Sequence, residues 1–499
     1  METKFKDLVF NIVISKGLLQ LRTVAFAAVF IFIILRQLSF KYFYKNIFMK
    51  SFLLSAFLLF IISIAFSQQN NLISGPWAGD VQMRTAIIWA EVATNVKKVA
   101  VQYYNAGNPS KKSLVVYKGL LGNPFNTIKI PLYGLDFNTS YNYNLFIDDK
   151  EIKTPFVTKF TTQDLWQWRK PAPDFSFLAG SCNYVNDPSI DRPGKPYGGD
   201  SSIFETMAKS GAAFHVWMGD NWYTREVDFG SAWGLNYRAS HDRAQKILQP
   251  FMASMPQYSI WDDHDYGPDN SGKSFYLKNE SREIFKNYML NPSYGEEEKG
   301  IYTKISYSDV DLFLTDDRFF RSEDDMPDSV NGIPSKDKHF FGPAQMEWLK
   351  NSLEFSKATF KIIVVGSQVL NPLSRAECMQ QYSYEYNELL NFIQTQKLEG
   401  IVFFSGDRHH SEIIKVESPK FYPLYDVTLS SYTAGISKVN GEEKNSIYRV
   451  KGTLVEENNF GKISVSGPKE NRIMKIECIG TKGNQLSGFT INSNELKVR

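Results

Sequence analysis

The pattern of apolar and polar positions changes character near residue 170. From residue 72 to 163, short runs rich in β-branched and aromatic residues are separated by Asn, Gly, Pro and Asp, which favour turns. This pattern predicts a small all-β sandwich domain over residues 72–163. The strands that we expect in it are TAIIWAEV (85–92), KVAVQYY (98–104), NTIKIPL (126–132) and SYNYNLFI (140–147).

Beyond a linker with Trp and Pro (165–173), apolar runs of strand length alternate with segments of helical spacing. The alternation predicts an α/β domain over residues 174–470, followed by a β-rich C-terminal extension over 471–499. Helices are expected at 201–211, 342–355 and 386–394. The expected strands are FSFLAG (175–180), AFHVWMG (213–219), PQYSIW (256–261), DLFLTD (311–316), FKIIVVG (360–366) and GIVFFSG (400–406).

Two apolar runs precede these domains. Residues 23–35 are too few to span a bilayer comfortably, whereas residues 49–67 have a basic start, an apolar centre, and small residues Ala65 and Ser67 before Gln68. We predict that residues 49–67 are a signal peptide and that residues 1–48 are a gene-start artefact. The alternative is a membrane anchor built from one or both runs. In either case we expect the bulk of the chain to be exported, and so periplasmic, secreted or membrane-anchored.

Composition narrows the functional classes. The chain has 499 residues, of which 43% are hydrophobic, so it can bury more than one core. A net charge of +3 gives no electrostatic reason to expect nucleic-acid binding, and we predict no stable protein partner. The three cysteines leave at least one thiol without an internal partner in an oxidising compartment, either as an inert buried thiol or as a metal-bound thiolate.

Polar residues follow four of the predicted strands at the point where each strand ends. In an open α/β sheet, ligands bind outside the carboxyl ends of the strands. Each tail alone is more simply a turn, a helix cap or a core residue, but four tails at one edge indicate a metal site. The tails are Ser181-Cys182-Asn183, Asp220-Asn221-Trp222-Tyr223, Asp262-Asp263-His264-Asp265 and Asp407-Arg408-His409-His410.

The ligand types in these tails are mixed. Carboxylate and amide oxygens suit hard cations and imidazoles suit transition metals, while a thiolate with a phenolate favours a trivalent or redox-type ion over Mg²⁺. The mixture predicts at least two cations, which would also supply the positive charge missing beside Asp262, Asp263 and Asp265. Paired metal ions of this kind clamp a phosphate ester for in-line attack.

These motifs together resemble the PhoD-type alkaline phosphatases, within the calcineurin-like metallophosphoesterases. The resemblance covers residues 72–470, including the sandwich domain, and implies a metallophosphoesterase-type β-sandwich core flanked by helices, after a fibronectin III-like domain. The matching pieces are GSC (180–182), GDNWY (219–223), WDDHD (261–265), DDRFFR (316–321), GPAQMEWL (342–349) and SGDRHHS (405–411).

The resemblance implies a centre with Fe³⁺ and Ca²⁺, although other divalent metals also suit these residues. Cys182 and Tyr223 match the thiolate and phenolate ligands to iron, and Asp220 matches the carboxylate that bridges iron and calcium. Asp263 matches a ligand or phosphate-side position. Asp407 and His409 match the last metal-binding motif.

Further positions carry expectations of their own. His264 matches the histidine beside the scissile bond, and Arg318 is expected either to contact phosphate or to make a structural ion pair. The family's Asn ligand falls near both Asp269 and Asn270, and Asn270 is preferred. The remaining expectations are that Asp262 and Asp265 brace their loop, that His215 is a satisfied core residue, and that His410 lies behind the ligands or on the surface.

The sequence thus predicts an exported, metal-dependent phosphatase. A metal-bridging hydroxide would attack phosphorus directly, and His264 would protonate the leaving group as general acid. One alternative is a phosphodiesterase acting on phospholipid or polymer phosphodiesters, with residues 184–200 and 322–340 lining the entrance. The other is a non-catalytic, metal-clipped binding protein, which would not need His264.

Overall fold

The structure is a computed structural model that describes residues 71–374 and 377–498. The predicted signal peptide and the segment before it lie outside these residues. Within the described ranges, no helix has the length and apolar character needed to cross a membrane.

The N-terminal part is all-β, as predicted. Its eight strands are β1 (Leu72–Gly79), β2 (Thr85–Val92), β3 (Val99–Asn105), β4 (Ser113–Val116), β5 (Asn126–Tyr133), β6 (Ser140–Ile147), β7 (Lys150–Glu151) and β8 (Lys159–Thr161). One sheet has the order β1-β2-β5 and the other β4-β3-β6-β7, with β8 on β6. Alternate residues of β5 and β6 are buried, so each strand turns one face to the core between the sheets.

The second part contains two six-stranded sheets and a small hairpin. Its strands are β9 (Phe175–Gly180), β10 (His215–Met218), β11 (Gln257–Ile260), β12 (Thr303–Tyr307), β13 (Val310–Leu314), β14 (Ser329–Val330), β15 (Ile333–Pro334), β16 (Phe360–Val365), β17 (Ile401–Ser405), β18 (Glu412–Val416), β19 (Leu424–Thr428), β20 (Asn459–Ser466), β21 (Ile473–Gly480) and β22 (Gln485–Asn492). The first sheet has the order β11-β10-β9-β20-β21-β22 and the second β12-β13-β16-β17-β19-β18. The predicted C-terminal extension therefore continues the first sheet.

Parallel pairing fixes the edge at which polar residues collect. In the first sheet β9, β10 and β11 are parallel neighbours, and in the second β13, β16, β17 and β19 are parallel. Within each set the carboxyl ends therefore share one edge. An isolated bridge between Ser181 and Ser430 joins the end of β9 to the end of β19, so the two edges meet.

Seven α-helices flank the sheets in the described residues. They are α1 (Ile203–Ala208), α2 (Ala232–Arg243), α3 (Leu248–Ser254), α4 (Asp263–Tyr266), α5 (Lys278–Tyr288), α6 (Gly342–Phe355) and α7 (Ser383–Thr395). Helix α6 shows why the sequence predicts such elements: Pro343 lies in its first turn, where a missing N–H costs nothing, and Met346, Leu349 and Leu353 form its buried stripe.

The sandwich packs on the second part through tryptophans and one acid. Trp77 and Trp89 stack with ring centroids 3.9 Å apart, and Trp89 Nε1 donates to the Asn287 carbonyl at 2.7 Å. The buried carboxylate of Glu91 accepts a 2.7 Å hydrogen bond from Ser240 Oγ. The two parts therefore share a continuous buried boundary.

Candidate metal centre

Five predicted ligands follow strands that end at the shared edge. Cys182, Asp220 and Asp263 come after the neighbouring strands β9, β10 and β11, while Asp407 and His409 come after β17 of the second sheet. The centre is thus built from both sheets, and it depends on the way in which the two edges meet.

Four of these ligands have a left-handed backbone. The φ angles are 64° at Cys182, 53° at Asp220, 63° at Asp407 and 55° at His409. Side-chain-bearing residues adopt this conformation rarely, at a cost of about 1–3 kcal/mol each, and such residues cluster at functional sites. These left-handed residues lie two to four positions beyond the last residue of the preceding strand.

The first potential metal-binding group joins Cys182, Asp220 and His409. Their ligand atoms all lie within 4.8 Å of one another. The Tyr223 hydroxyl joins this group, because it donates to Asp220 Oδ2 at 2.8 Å and lies 3.1 Å from His409 Nε2. A thiol, a carboxylate, an imidazole and a phenol therefore face a common point.

The second potential group joins Asp220, Asp263 and His264, whose ligand atoms also lie within 4.8 Å of one another. Asp220 belongs to both groups, which is the arrangement expected of a carboxylate that bridges two ions. The backbone N–H of Asn270 donates to Asp263 Oδ2 at 2.7 Å and helps to fix that side chain.

The electrostatics show that these groups lack positive charge. Burial, and then the charge of Asp263, raises the pKa of Asp220 well above its usual range. Burial and the neighbouring Asp220 likewise raise the pKa of the Cys182 thiol, and burial with the charge of Glu377 raises the pKa of Asp407 to about 7. A bound cation removes this repulsion and favours the ionised ligands.

The pKa values of His409 and Asp263 are lowered, in contrast to those of Asp220, Cys182 and Asp407. Burial, with the charge of His264, lowers the pKa of His409 to about 4, which keeps its imidazole in the neutral form that binds metals. Burial acts to raise the pKa of Asp263, but the charges of His264 and Arg318 outweigh it and lower that pKa. The residues present therefore fit a pair of metal ions.

His264 lies on the open side of the centre. Its ring packs on Tyr223 with centroids 4.1 Å apart, and its Nε2 lies 3.5 Å from Asp269 Oδ1. The Asp269 side chain is 75% exposed. The imidazole thus stands between the ligand cluster and solvent.

The structure favours one of the two roles expected of Arg318. The residue is fully buried, its Nε donates to Asp262 Oδ1 at 2.5 Å, and its Nη1 donates to Glu377 Oε1 at 2.9 Å. Its donors are engaged by these carboxylates, so the ion-pair role fits the geometry. From this position it also acts on Asp263, whose Oδ1 is 3.9 Å from Nη2.

Asp269 and Asn270 are the two candidate positions for the family's Asn ligand, and they make different contacts. Both residues are exposed, and Asn270 reaches the cluster through its backbone N–H on Asp263, while Asp269 faces His264. An Asn270 side-chain ligand stays a prediction.

The contacts of Asp265, His215 and His410 show which of the roles expected of them they fill. Asp265 accepts hydrogen bonds from the backbone N–H groups of Asp262 and Asn221, which confirms that it braces the loop. His215 lies buried between Gln257 and the Tyr432 hydroxyl, which confirms a satisfied core residue. His410 is buried, with its Nε2 3.5 Å from Glu412, which agrees with the first of the two positions expected of it, behind the ligands, and not with a surface position.

Sequence reasoning missed several partners of the ligands. The Ser430 hydroxyl donates to Cys182 Sγ at 3.2 Å, and the Ser181 hydroxyl lies at the same distance from that sulfur. The Tyr197 hydroxyl is 3.0 Å from His409 Nδ1. Ser181 stands beside Cys182 in the GSC piece, but Ser430 and Tyr197 lie more than 200 positions away from their partners, so spacing along the chain does not show those two contacts. All three cysteines are buried and free.

The comparisons with known proteins agree with this geometry. Among solved structures, PhoD matches with a TM-score of 0.67 and 17% identity over 87% of this chain and 92% of its own. The purple acid phosphatase PPD1 from yellow lupin (Lupinus luteus) seeds matches with a TM-score of 0.60 and 13% identity over 83% of this chain and 73% of its own. At these identities the structural matches show the fold. No curated protein sequence matches the chain.

The family comparison reaches further, because the model of the PhoD-like phosphatase family matches residues 177–459, more than half of the chain. The matched range contains every predicted ligand and both potential metal-binding groups. The predicted fold class and enzyme class are confirmed, and the chain belongs to the PhoD-like phosphatases, a family of metal-dependent phosphoester hydrolases.

Proposed function

We propose that this protein is an exported phosphatase whose ions are held by Cys182, Asp220, Tyr223, Asp263, Asp407 and His409. The observation that carries the proposal is the shared Asp220, which belongs to two potential metal-binding groups at once. A bound pair of cations would supply an activated water for attack on phosphorus and would neutralise the charge that develops on the phosphoryl oxygens.

The two groups differ in chemistry, which supports two different ions. The first offers a thiol and a phenol beside Asp220 and His409, and we propose Fe³⁺ there. The second offers carboxylate oxygens from Asp220 and Asp263 beside the His264 imidazole, which we assign as the acid and not as a ligand, and we propose Ca²⁺ there. Elemental analysis of protein purified without added metal tests the assignment: iron with calcium supports it, and zinc alone contradicts it.

We propose His264 as the general acid. Its ring lies between the ligand cluster and solvent, and Asp269 Oδ1 lies 3.5 Å from Nε2. An imidazole N–H at this place can deliver its proton to the leaving oxygen. The Tyr223 ring packs against this imidazole with the two ring planes tilted by 31°.

Replacing the shared ligand tests the central proposal. Asp220→Ala is expected to lose both bound metal and hydrolysis of p-nitrophenyl phosphate, because each of the two proposed ions would lose a ligand. The matched control is Asp149→Ala, which removes an exposed carboxylate from the sandwich domain and should keep both properties. Circular dichroism establishes that each variant is folded. Unaltered hydrolysis by folded Asp220→Ala would overturn the proposal.

Export is a separate part of the proposal, supported by the signal-peptide pattern at residues 49–67. N-terminal sequencing of the protein recovered outside the cytoplasm should begin at Gln68. Recovery of an intact segment before Ser67 would favour the membrane anchor instead.

A further inference from the structure

Tyr197 lies on the loop after β9, outside every motif that predicts a ligand. Its hydroxyl is 3.0 Å from His409 Nδ1, and the centroids of the two rings are 6.0 Å apart. The opposite ring nitrogen, His409 Nε2, faces the Tyr223 hydroxyl at 3.1 Å and so points into the first metal-binding group. The two nitrogens of this imidazole thus have separate partners on opposite sides.

This arrangement decides how the imidazole carries its proton. A neutral imidazole has one N–H, and the nitrogen that binds a metal must be the other one. With Nε2 toward the ligands, the proton sits on Nδ1 and can be donated to the Tyr197 oxygen. Partners of this kind fix both the tautomer and the ring orientation of metal-binding histidines.

Tyr197 is held in place by its own loop. Asn186 Nδ2 donates to the Gly198 carbonyl and the Gly198 N–H donates back to Asn186 Oδ1, both at 2.9 Å. The next residue, Gly199, donates its N–H to the Thr433 carbonyl at 2.5 Å. These bonds hold the backbone on both sides of the loop without using any metal ligand.

Packing fixes the ring as well. Tyr184 meets the Tyr197 ring edge-on with centroids 4.8 Å apart, and Tyr184 is itself packed on the Arg225 guanidinium at 4.1 Å. On another side Gly435 lies so close that a Cβ there would come within 2.7 Å of the Tyr197 ring. The side chain is nevertheless 48% exposed, so it borders the solvent side of the centre.

We propose that Tyr197 is a positioning residue that holds His409 in its metal-binding orientation and thereby ties metal affinity to the loop at residues 184–200. The inference rests on the proposed metal centre and goes beyond it, because Tyr197 contributes no ligand atom. Loss of its hydroxyl leaves every ligand in place but frees the imidazole to rotate and to change tautomer.

The test is the conservative variant Tyr197→Phe, which keeps the ring packing and removes only the hydroxyl. Tyr133→Phe is the matched control, since it removes an exposed hydroxyl from the sandwich domain. Each protein is stripped with a chelator, and Co²⁺ alone is titrated by calorimetry. The control should bind as the wild type does, and Tyr197→Phe about 10- to 100-fold more weakly. The thermal midpoints of the stripped proteins should agree.

A double-mutant cycle with His409→Ala separates the positioning role from a general effect. In the His409→Ala background, Tyr197→Phe should cause no further loss of Co²⁺ affinity. The inference is overturned if wild type and Tyr197→Phe bind Co²⁺ equally well. It is also overturned if Tyr197→Phe lowers Co²⁺ affinity as much in the His409→Ala background as in wild type. Neither result would contradict the proposed metal centre. If the stripped wild type takes up no Co²⁺, the proposed metal centre falls and the inference falls with it.

Discussion

Glu91 couples the stability of the protein to pH at the boundary between the two parts. Its side chain is buried, and burial raises its pKa from 4.5 to about 6, although the hydrogen bond from Ser240 acts in the opposite direction. Ionising Glu91 in the folded protein therefore costs about 2 kcal/mol more than in the unfolded chain. The variant Glu91→Gln removes this ionisation, because glutamine has nearly the same shape as glutamate and stays neutral.

The direction in which the unfolding free energy changes with pH follows from proton binding by Glu91. Because the folded protein holds the proton more tightly, the stabilisation is complete below the unfolded pKa and is lost as the pH rises through about 6. Relative to Glu91→Gln, wild type should lose about 1.5 kcal/mol of unfolding free energy between about pH 4.5 and pH 7.5.

Urea unfolding followed by tryptophan fluorescence measures this change, since Trp77 and Trp89 stack at the same boundary. Only the pH dependence of the difference between the two proteins is used, so a constant effect of the amide cancels. If the two unfolding free energies run parallel over this pH range, Glu91 titrates normally and the reasoning about its burial is wrong.

Two further predictions concern the centre. Arg318→Met leaves Asp262 buried without its cation and Glu377 with Arg321 alone, and urea denaturation should show a loss of about 3–5 kcal/mol. Unchanged stability with a raised KM would instead indicate a phosphate contact. His264→Asn should lower kcat about 10²- to 10⁴-fold for an alkyl phosphate and less for p-nitrophenyl phosphate, whose leaving group needs little protonation. Loss of bound metal in His264→Asn, measured by elemental analysis, would instead make His264 a ligand.

The strands with the clearest patterns could be predicted to the residue. The bounds of β2, β6 and β9 agree with the runs at 85–92, 140–147 and 175–180, and helix α6 spans the predicted 342–355. These elements have one apolar face or are apolar throughout, so local sequence and tertiary burial favour the same structure. The strand ends that carry the metal-binding residues could be located for this reason.

Helix α2 shows where such reasoning fails. Its segment AWGLNYRASHDR has no apolar stripe, yet it buries Arg238, Asp242 and Arg243. Arg238 pairs with Asp228 and Asp242, and Arg243 packs against Trp217 and the sulfur of Met252. Charges that are buried because of partners elsewhere in the fold cannot be distinguished in sequence from charges that face water.

The same limit applies to the centre. Residue type and strand-end position identified Cys182, Asp220 and His409, which the fold brings together. The pairing of Arg318 with Glu377, and the contact of Tyr197 with His409, depend on how distant loops meet. Neither contact is encoded by spacing, so the structure was needed to find them.

The origin of the ligands in two sheets has a consequence for assembly. Cys182, Asp220 and Asp263 follow strands of the first sheet, and Asp407 and His409 follow a strand of the second, so ions bound as proposed would cross-link the two sheets at one edge. The complete ligand set would exist only where both sheets are docked, because it joins residues as far apart as 182 and 409. Ions bound at the centre would then stabilise the part of the protein that contains these two sheets by mass action, by about 4 kcal/mol when free metal exceeds Kd about 1,000-fold. Metal supply would thereby set the stability of the fold as well as its chemistry.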